Sequence, residues 1–198
     1  MDDMMTLISP FILPGASAIA DVPTTAESLG VLEAPVVELR AYRDAMASVA
    51  AAVHIITTAG PDGPAGFTAT AVSSVTDTPP TLLVCVKRDS SVGAAFQANG
   101  ALCVNTLAPG HEKLSNLFGG KTPMADRFAE AEWTSAVTGS PVLTGALTAF
   151  DCRIASAVDV GTHAVLFCEV LAIVEGEPGD GLLYAGRRYA TVMARPAV

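Results

Sequence analysis

Residues 53–86 read VHIITTAGPDGPAGFTATAVSSVTDTPPTLLVCV, a stretch of β-branched and small residues broken by two proline-containing turns. Residues 53–58 predict a short strand, because β-branched side chains fit a pleated sheet better than a helix. The sequence at 60–64 predicts a turn, and the alternation of small polar and apolar residues over 67–76 predicts a second strand. Pro79 and Pro80 end it, and residues 81–86 predict a third strand. The absence of any helical pattern between these strands indicates an antiparallel, mainly β fold.

The remaining sequence predicts a few short helices and several longer strands. Residues 38–52 predict a helix, since Leu39, Tyr42, Met46 and Val49 recur at helical spacing. Further short helices are expected at 90–98, 111–118 and 124–129, and further strands at 101–107, 146–158, 162–175 and 189–193. Six or so strands with few helices between them indicate a closed or nearly closed antiparallel barrel with short peripheral helices.

The N-terminal residues differ from the rest of the chain. Residues 1–37 contain four prolines and no regular hydrophobic period, so we expect an extension that is partly disordered or packed along the body. Residues 38–198 are expected to form the folded domain. The apolar stretch 4–20 follows two aspartates, whereas a signal peptide begins with positive charge. We therefore expect a cytoplasmic protein.

Composition excludes several classes of function. The chain has 198 residues, 51% hydrophobic, and its formal charge of −9 comes from 20 acidic and 11 basic residues. That balance argues against a nucleic-acid-binding protein, which needs clustered cations to neutralise phosphates. The mean hydropathy of +0.46 first suggests a membrane protein. No window of about 18 to 20 apolar residues occurs, however, so the apolar surplus indicates a buried core.

The cysteines and the common catalytic motifs are also informative. Cys85, Cys103, Cys152 and Cys168 lie in apolar, strand-like runs without metal-ligand spacing, so we expect buried, reduced thiols and no metal site. The segment at 118–122 resembles the end of a phosphate-binding loop, but Ser115 stands where that motif needs glycine. The sequence contains no Gly-x-Gly-x-x-Gly fingerprint and no common nucleophile or zinc-hydrolase motif.

Four features could carry chemistry, and each has a simpler structural alternative. The small and hydroxyl residues of 66–75 could form a strand against which a flat ligand lies. The simpler alternative is an edge strand that is rich in Thr and Ser. The sequence 87–91, KRDSS, offers an anion site at a helix start, or a capped helix with solvated charges. His163 is either a site residue or an exposed histidine. Residues 186–189, GRRY, could meet a nucleotide or form a surface turn.

In order along the chain, these motifs resemble the flavin reductase components of two-component flavin monooxygenases. The resemblance covers residues 39–192, and within the family it is strongest to the reductases of pyrimidine utilisation. Many family members have Ser-Phe where this chain has Ala71-Val72. The matching motifs are VHIITT at 53–58, GFTA at 66–69, SV at 74–75, PP at 79–80, LVCV at 83–86, CVN at 103–105, DRF at 126–128, GTH at 161–163 and GRRY at 186–189.

The resemblance implies a split β-barrel with Greek-key topology that forms a homodimer and binds FMN or FAD together with NADH or NADPH. Reduced flavin would then diffuse to a partner monooxygenase. The resemblance also implies that His163 lies at the nicotinamide and is the catalytic residue. The cofactor-binding residues that it implies are Thr68, Ala69, Thr70 and Ser74 along the flavin ring and ribityl chain, Arg88, Ser90 and Ser91 at the phosphate, Asn105 near the flavin, and Arg187 and Tyr189 near the dinucleotide.

Two alternatives remain open from the sequence. A flavin-binding barrel could serve as a flavin carrier or sensor without reducing its ligand. A related barrel could instead be an oxidase that uses bound FMN on a small amine. The chemistry of a reductase needs little from the side chains, because flavin and nicotinamide carry the hydride transfer themselves.

Overall fold

The computed structural model describes residues 34–194, except for the side chain of Ser91. The chain divides into two units, Met1–Glu38 and Leu39–Val198. Residues 34–38, the described part of the first unit, contain no helix or strand. The extension expected at 1–37 therefore lies almost wholly outside the described residues. All helices and strands of the described residues belong to the second unit.

The second unit is mainly β, with four short helices in its described part. The helices are α1 (Leu39–Ala47), α2 (Ser91–Asn99), α3 (Glu112–Gly119) and α4 (Met124–Ala129). The strands are β1 (Ala51–Ala52), β2 (His54–Gly60), β3 (Gly63–Ala69), β4 (Val72–Asp77), β5 (Pro80–Lys87), β6 (Ala101–Thr106), β7 (Trp133–Ser135), β8 (Pro141–Leu143), β9 (Thr148–Val160), β10 (His163–Glu175), β11 (Gly181–Ala185) and β12 (Arg188–Val192). The expected mainly β fold with short helices is confirmed.

The principal sheet has seven strands in the order β3-β2-β6-β9-β10-β5-β4, and every pairing is antiparallel. Its two edge strands, β3 and β4, are consecutive in sequence but do not pair with each other. A second sheet, β1-β11-β12, adjoins it through backbone hydrogen bonds of 3.0 Å that connect Val53, Leu107 and Leu182. The barrel is therefore open between β3 and β4.

The single strand expected over 67–76 is wrong, because the chain changes partners in the middle of it. β3 ends at Ala69, where it pairs with β2, and β4 begins at Val72, opposite Val84 of β5. The Ala71 carbonyl accepts a hydrogen bond of 3.1 Å from the Cys85 amide. Residues 70–71 thus carry the chain from one edge of the sheet to the other, which side-chain alternation does not reveal.

The core has two main clusters of buried side chains. We call the one that includes α2 the inner cluster and the one that includes α3 and α4 the outer cluster. The inner cluster includes Ile56, Val84 and Leu166, and α2 adds Phe96, whose ring meets Phe67 edge-on at 5.3 Å. The outer cluster packs α3 and α4 against the sheet, with Phe118 in contact with two further aromatic rings. This outer layer holds α3 beside β3, and the candidate site forms at that junction.

The four cysteines are free thiols, and three of them are buried. Burial raises the pKa of Cys168 to about 12 and raises the pKa values of Cys103 and Cys152 as well, because a thiolate is poorly solvated in an apolar core. Cys103, Cys152 and Cys168 are therefore buried packing residues, whereas Cys85, which we also expected to be buried, is only partly so. Among the helices of residues 34–194, none has the length and apolar character needed to cross a membrane.

Candidate functional site

A cleft of about 330 Å³ lies where the end of β3 meets α3 and the β11–β12 hairpin. A cleft of this size falls at the lower end of the range for small-molecule sites. Its walls are formed by small and hydroxyl residues on one side and two tyrosines on the other. The lining residues are Val53, Thr68, Ala69, Thr70, Ser115, Asn116, Gly119, Gly120, Tyr184 and Tyr189.

The β3 wall is fixed by close packing against α3. The Thr68 hydroxyl donates to the Ser115 carbonyl at 2.6 Å. A side chain at Gly66 would meet the Phe118 ring at 2.8 Å and the Ile56 carbonyl at 2.9 Å, so only glycine allows this approach. Because β3 is held rigidly and carries small side chains, a flat ligand can reach its backbone.

The opposite wall is formed by the β11–β12 hairpin. The Tyr189 hydroxyl lies 2.9 Å from Ser115 Oγ and 2.9 Å from Asn116 Oδ1, and its ring meets Tyr184 edge-on at 5.3 Å. Of these four residues, the sequence identified only Tyr189. Ser115, Asn116 and Tyr184 belong to no motif, and only the packing of α3 against the hairpin brings them to the cleft.

Arg187 lies at the turn of the same hairpin but does not line the cleft. It has a φ of +61°, which is unusual for a residue other than glycine, and its guanidinium pairs with Asp44 of α1. The neighbouring Gly186 amide donates to the Ala47 carbonyl at 2.6 Å. In this structure Arg187 fastens the hairpin to α1.

The second group of expected residues lies where β5 leads into α2. Ser90 caps α2, since its Oγ accepts from the Gly93 amide at 3.0 Å and donates to the Lys87 carbonyl at 2.6 Å. A side chain at Gly93 would meet the Lys87 carbonyl at 2.8 Å. Arg88 Nη1 pairs with Asp159 Oδ2 at 2.9 Å. The capped-helix alternative therefore describes part of this segment. The side chain of Ser91 is not among those that the structure describes.

His163 is brought next to this segment by the pairing of β10 with β5. It stands opposite Lys87 in the ladder, is exposed, and its Nδ1 lies 2.9 Å from the Thr162 hydroxyl. The Arg88 amide donates to the Thr162 carbonyl at 3.1 Å. Three of the expected residues, His163, Arg88 and Ser90, thus gather at one end of β5.

Two other expected residues lie apart from the cleft lining. Asn105 is fully buried, where its amide donates to the Ile55 carbonyl at 3.0 Å and its Oδ1 accepts from the Leu143 amide at 2.8 Å. Its hydrogen-bonding capacity is largely used within the core. Ser74 lies on β4 opposite Leu82 and is exposed.

The two groups are separated by a distance that suits an elongated ligand. The carbonyl of Ala71, next to Thr70, bonds to Cys85, and Arg88 follows three residues later, just after β5. Three extended residues span about 10 Å. A ligand with a flat ring near Thr70 and an anionic tail near Arg88 matches this arrangement of small residues and cations.

Comparison with known proteins finds, over most of the chain, the flavin reductase family that the sequence motifs resemble. The flavin reductase like domain family matches residues 46–193. A relative from Ancylobacter novellus named FMN reductase (NADH) RutF is 56% identical over 174 residues, which cover 88% of this chain and 96% of the relative.

Two solved structures share the fold. A Haemophilus somnus protein provisionally named a flavin reductase is 46% identical with a TM-score of 0.78, over 79% of this chain and all of that one. BorF, the flavin reductase component of a bacterial two-component tryptophan halogenase, is 28% identical with a TM-score of 0.74, over 80% of this chain and all of that one. The expected split-barrel fold is confirmed.

Proposed function

The chain belongs to the family of flavin reductase-like domains, and we propose that it is an NADH-dependent reductase of FMN that supplies reduced flavin to a separate monooxygenase. The observation that carries the proposal is the small-residue cleft beside Thr68 and Ala69, in a chain whose next residues bond to β5 at Cys85, three residues before the cation Arg88. Its support from relatives is the 56% identity to a protein named FMN reductase (NADH).

The residues at the cleft fit a flavin ring. Thr68, Ala69 and Thr70 present a backbone edge with small side chains, and Gly119 and Gly120 leave room on the facing wall. Amide and hydroxyl groups of this kind can bond to the ring nitrogens and oxygens of a flavin. We assign these residues to the ring.

The phosphate and ribityl chain would extend towards α2. Arg88 supplies a cation, and the backbone amides behind Ser90 and Ser91 supply the positive end of a nine-residue helix. Ser74 on β4 is assigned to the ribityl chain. Asn105 is assigned a supporting place near the flavin from within the core, since its bonds tie β2, the neighbour of β3, to β8.

The family resemblance assigns His163 to the nicotinamide side, with Tyr189 and Arg187 towards the rest of the dinucleotide. Within one chain His163 lies opposite Lys87 and does not line the ring cleft, so a nicotinamide beside it would have to extend from the phosphate end back towards the ring. NADH supplies a hydride to the flavin and leaves as its oxidised form, so the protein contributes orientation and exclusion of water rather than acid–base catalysis. The Nδ1 of His163 lies 2.9 Å from the Thr162 hydroxyl, a contact that favours one orientation of its exposed ring.

We further propose a cytoplasmic homodimer. The β9–β10 hairpin exposes apolar side chains at both ends: Val158 at 50% and Val160 at 60% next to its turn, and Leu171 at 43% and Ile173 at 57% at its open end. Patches of this kind are typical of a subunit interface. The four free thiols suit a reducing compartment.

The partner is proposed to be a flavin-dependent oxygenase. BorF is named as the reductase component of a two-component enzyme, which supports a diffusible-flavin arrangement here. Ligand release suits a site that holds its flavin through backbone and small side chains. The resemblance of the sequence to pyrimidine-utilisation reductases favours an oxygenase of that pathway.

The proposal is tested by following NADH oxidation by the purified protein with and without added FMN. We expect oxidation only when FMN is present, and a His163→Ala variant that lowers the rate of hydride transfer more than tenfold while changing the Kd for FMN less than threefold. Ser156→Ala, an exposed change on the same hairpin, is the control. Flavin retention without NADH oxidation would instead support a carrier, and an unchanged rate in His163→Ala would remove its catalytic role.

A further inference from the structure

Arg127 of α4 is a buried cation bonded to main-chain carbonyls. The residue is only 8% exposed. Nε donates to the Thr122 carbonyl at 2.7 Å, Nη1 donates to the Phe118 carbonyl at 3.0 Å and the Gly66 carbonyl at 3.3 Å, and Nη2 donates to the Gly120 carbonyl at 3.0 Å. One guanidinium thus joins β3 to the whole α3–α4 connection.

The charge on this guanidinium has no carboxylate partner among the described residues. None of the ion pairs formed within residues 34–194 includes Arg127. Burying a charge without a counter-ion is costly, and carbonyl dipoles offset only part of that cost. A methionine or leucine would fill the space without burying a charge but would leave these four carbonyls without their donor. The guanidinium therefore both satisfies the carbonyls and brings a positive charge to this position.

The Arg127 guanidinium lies directly behind one wall of the cleft. Gly119 and Gly120 line the cleft, and Gly120 is bonded directly to Nη2. Gly119 faces β3, since a Cβ placed on it would lie 3.7 Å from the Cβ of Thr68. Arg127 therefore holds this wall in place from behind and adds positive potential to the cleft through a region of low dielectric constant.

We propose that Arg127 is a positioning residue that fixes the Gly119–Gly120 wall and makes the cleft favour the reduced, negatively charged form of flavin over the oxidised form. This rests on the proposed function, in which the cleft takes the flavin ring. Hydride transfer adds one negative charge to a neutral ring system, and a buried positive charge nearby stabilises that product more than the reactant.

The test compares the Kd values for oxidised and reduced FMN, measured anaerobically, in four variants. Arg127→Gln removes the charge, and we expect the Kd for reduced FMN to rise at least fivefold more than that for oxidised FMN. Arg127→Lys keeps the charge but loses the four-carbonyl geometry, so both Kd values should rise by a similar factor. In Arg127→Ala, millimolar guanidinium should restore part of the affinity. Arg153→Gln, an exposed arginine paired with Glu169, is the charge-matched control and should change neither value.

The outcomes separate the proposal from the function on which it rests. Equal weakening of both forms in Arg127→Gln, the pattern expected only for Arg127→Lys, overturns the proposal while leaving flavin reduction intact. Kd values in Arg127→Gln like those of Arg153→Gln overturn it as well. Absence of flavin binding by the wild-type protein overturns the proposed function itself.

A second measurement covers the case in which the Arg127 variants do not fold. The Nε–H signal of Arg127 can be followed by nuclear magnetic resonance in the wild-type protein. We expect it to shift on saturation with oxidised FMN and to shift further on reduction. An unchanged signal in both titrations would overturn the coupling between this residue and the cleft.

Discussion

At the scale of single residues, His54 is a buried imidazole at the start of β2. Its Nδ1 lies 3.2 Å from the Thr106 hydroxyl, and burial lowers its pKa from 6.5 to about 4, because the charged ring is poorly solvated there. The unfolded chain therefore binds this proton more readily than the folded one. Stability from this group is fully present above pH 6.5 and is lost as the pH falls towards 4.

We predict that the free energy of unfolding falls by about 2 kcal/mol through His54 between pH 7 and pH 5. The measurement is urea unfolding of wild type and His54→Gln at both pH values. His111, whose pKa burial also lowers, cancels in the difference between the two proteins. A difference that stays constant between the two pH values would contradict the burial of an uncharged His54.

The candidate residues show what sequence reasoning can find at this scale. Thr68, Thr70 and Tyr189 were identified because they sit in ordered motifs, and the structure brings them to one cleft. Asn105 lies in an equally recognisable motif, yet its amide is used in the core. Asn116 has no motif, and its place depends on how a short helix packs against a distant hairpin. Motifs thus locate a segment, but only packing determines which side chains face the cleft.

At the scale of elements, one substitution at the start of α2 tests both the N-cap of the helix and the proposed site for the FMN phosphate. Ser90→Ala removes the bond to the Gly93 amide, and we predict a loss of about 1 kcal/mol in the free energy of unfolding. It should also weaken binding of FMN more than binding of riboflavin, which lacks the phosphate. Ser90→Thr keeps the capping oxygen and should restore both quantities. Equal weakening for FMN and riboflavin would leave the segment as a cap alone.

The β11–β12 hairpin is tied to α3 through one hydroxyl group. Tyr189→Phe removes the contacts with Ser115 and Asn116, and we predict that it lowers the free energy of unfolding by about 1 kcal/mol. Tyr184→Phe is the matched control, because the Tyr184 hydroxyl makes no hydrogen bond within the described part of the chain; its effect should stay within about 0.5 kcal/mol. Thermal unfolding of both variants measures this. Equal effects would show that the hydroxyl network does not hold the hairpin.

The elements were predictable where a pattern extends over many residues. The long strands β9 and β10 are predicted within two residues of their ends, because β-branched and other apolar residues extend along them without a helical period. β1, β7, β8 and β11 were missed, since two to five residues carry no measurable period. The helix expected over 38–52 ends at Ala47, because Ala51 and Ala52 pair with β11 instead. That pairing is long-range and leaves no local signal.

At the scale of the whole molecule, the apolar face of the β9–β10 hairpin predicts self-association. Ile173→Arg places a charge at the open end of the hairpin, beside the exposed Leu171 and Val174, and we predict that it shifts the protein from dimer to monomer in sedimentation or light scattering. Val137→Arg, a change at a side chain that is 71% exposed on the loop between β7 and β8, should leave the dimer intact. A wild-type protein that sediments as a monomer, or an Ile173→Arg variant that remains dimeric, would contradict this interface.

The mainly β fold class could be predicted from the sequence, whereas the opening of the barrel between β3 and β4 could not. Antiparallel strands in close succession indicated a mainly β fold, and the family resemblance added the split barrel. The edges of the sheet depend on residues 70–71 crossing between β3 and β4, which composition does not encode. The same crossing bonds Ala71, the residue after Thr70, to Cys85, and so determines how far the cleft lies from Arg88 along β5.

The central claim is that the protein transfers a hydride from NADH to free FMN and then releases the product. The most direct measurement is an anaerobic reaction of a catalytic amount of protein with excess NADH and FMN, followed by ultrafiltration. We predict that NADH is oxidised in a one-to-one ratio with FMN reduced, and that reduced FMN appears in the filtrate. No NADH oxidation with FMN or FAD, using either NADH or NADPH, would contradict the account.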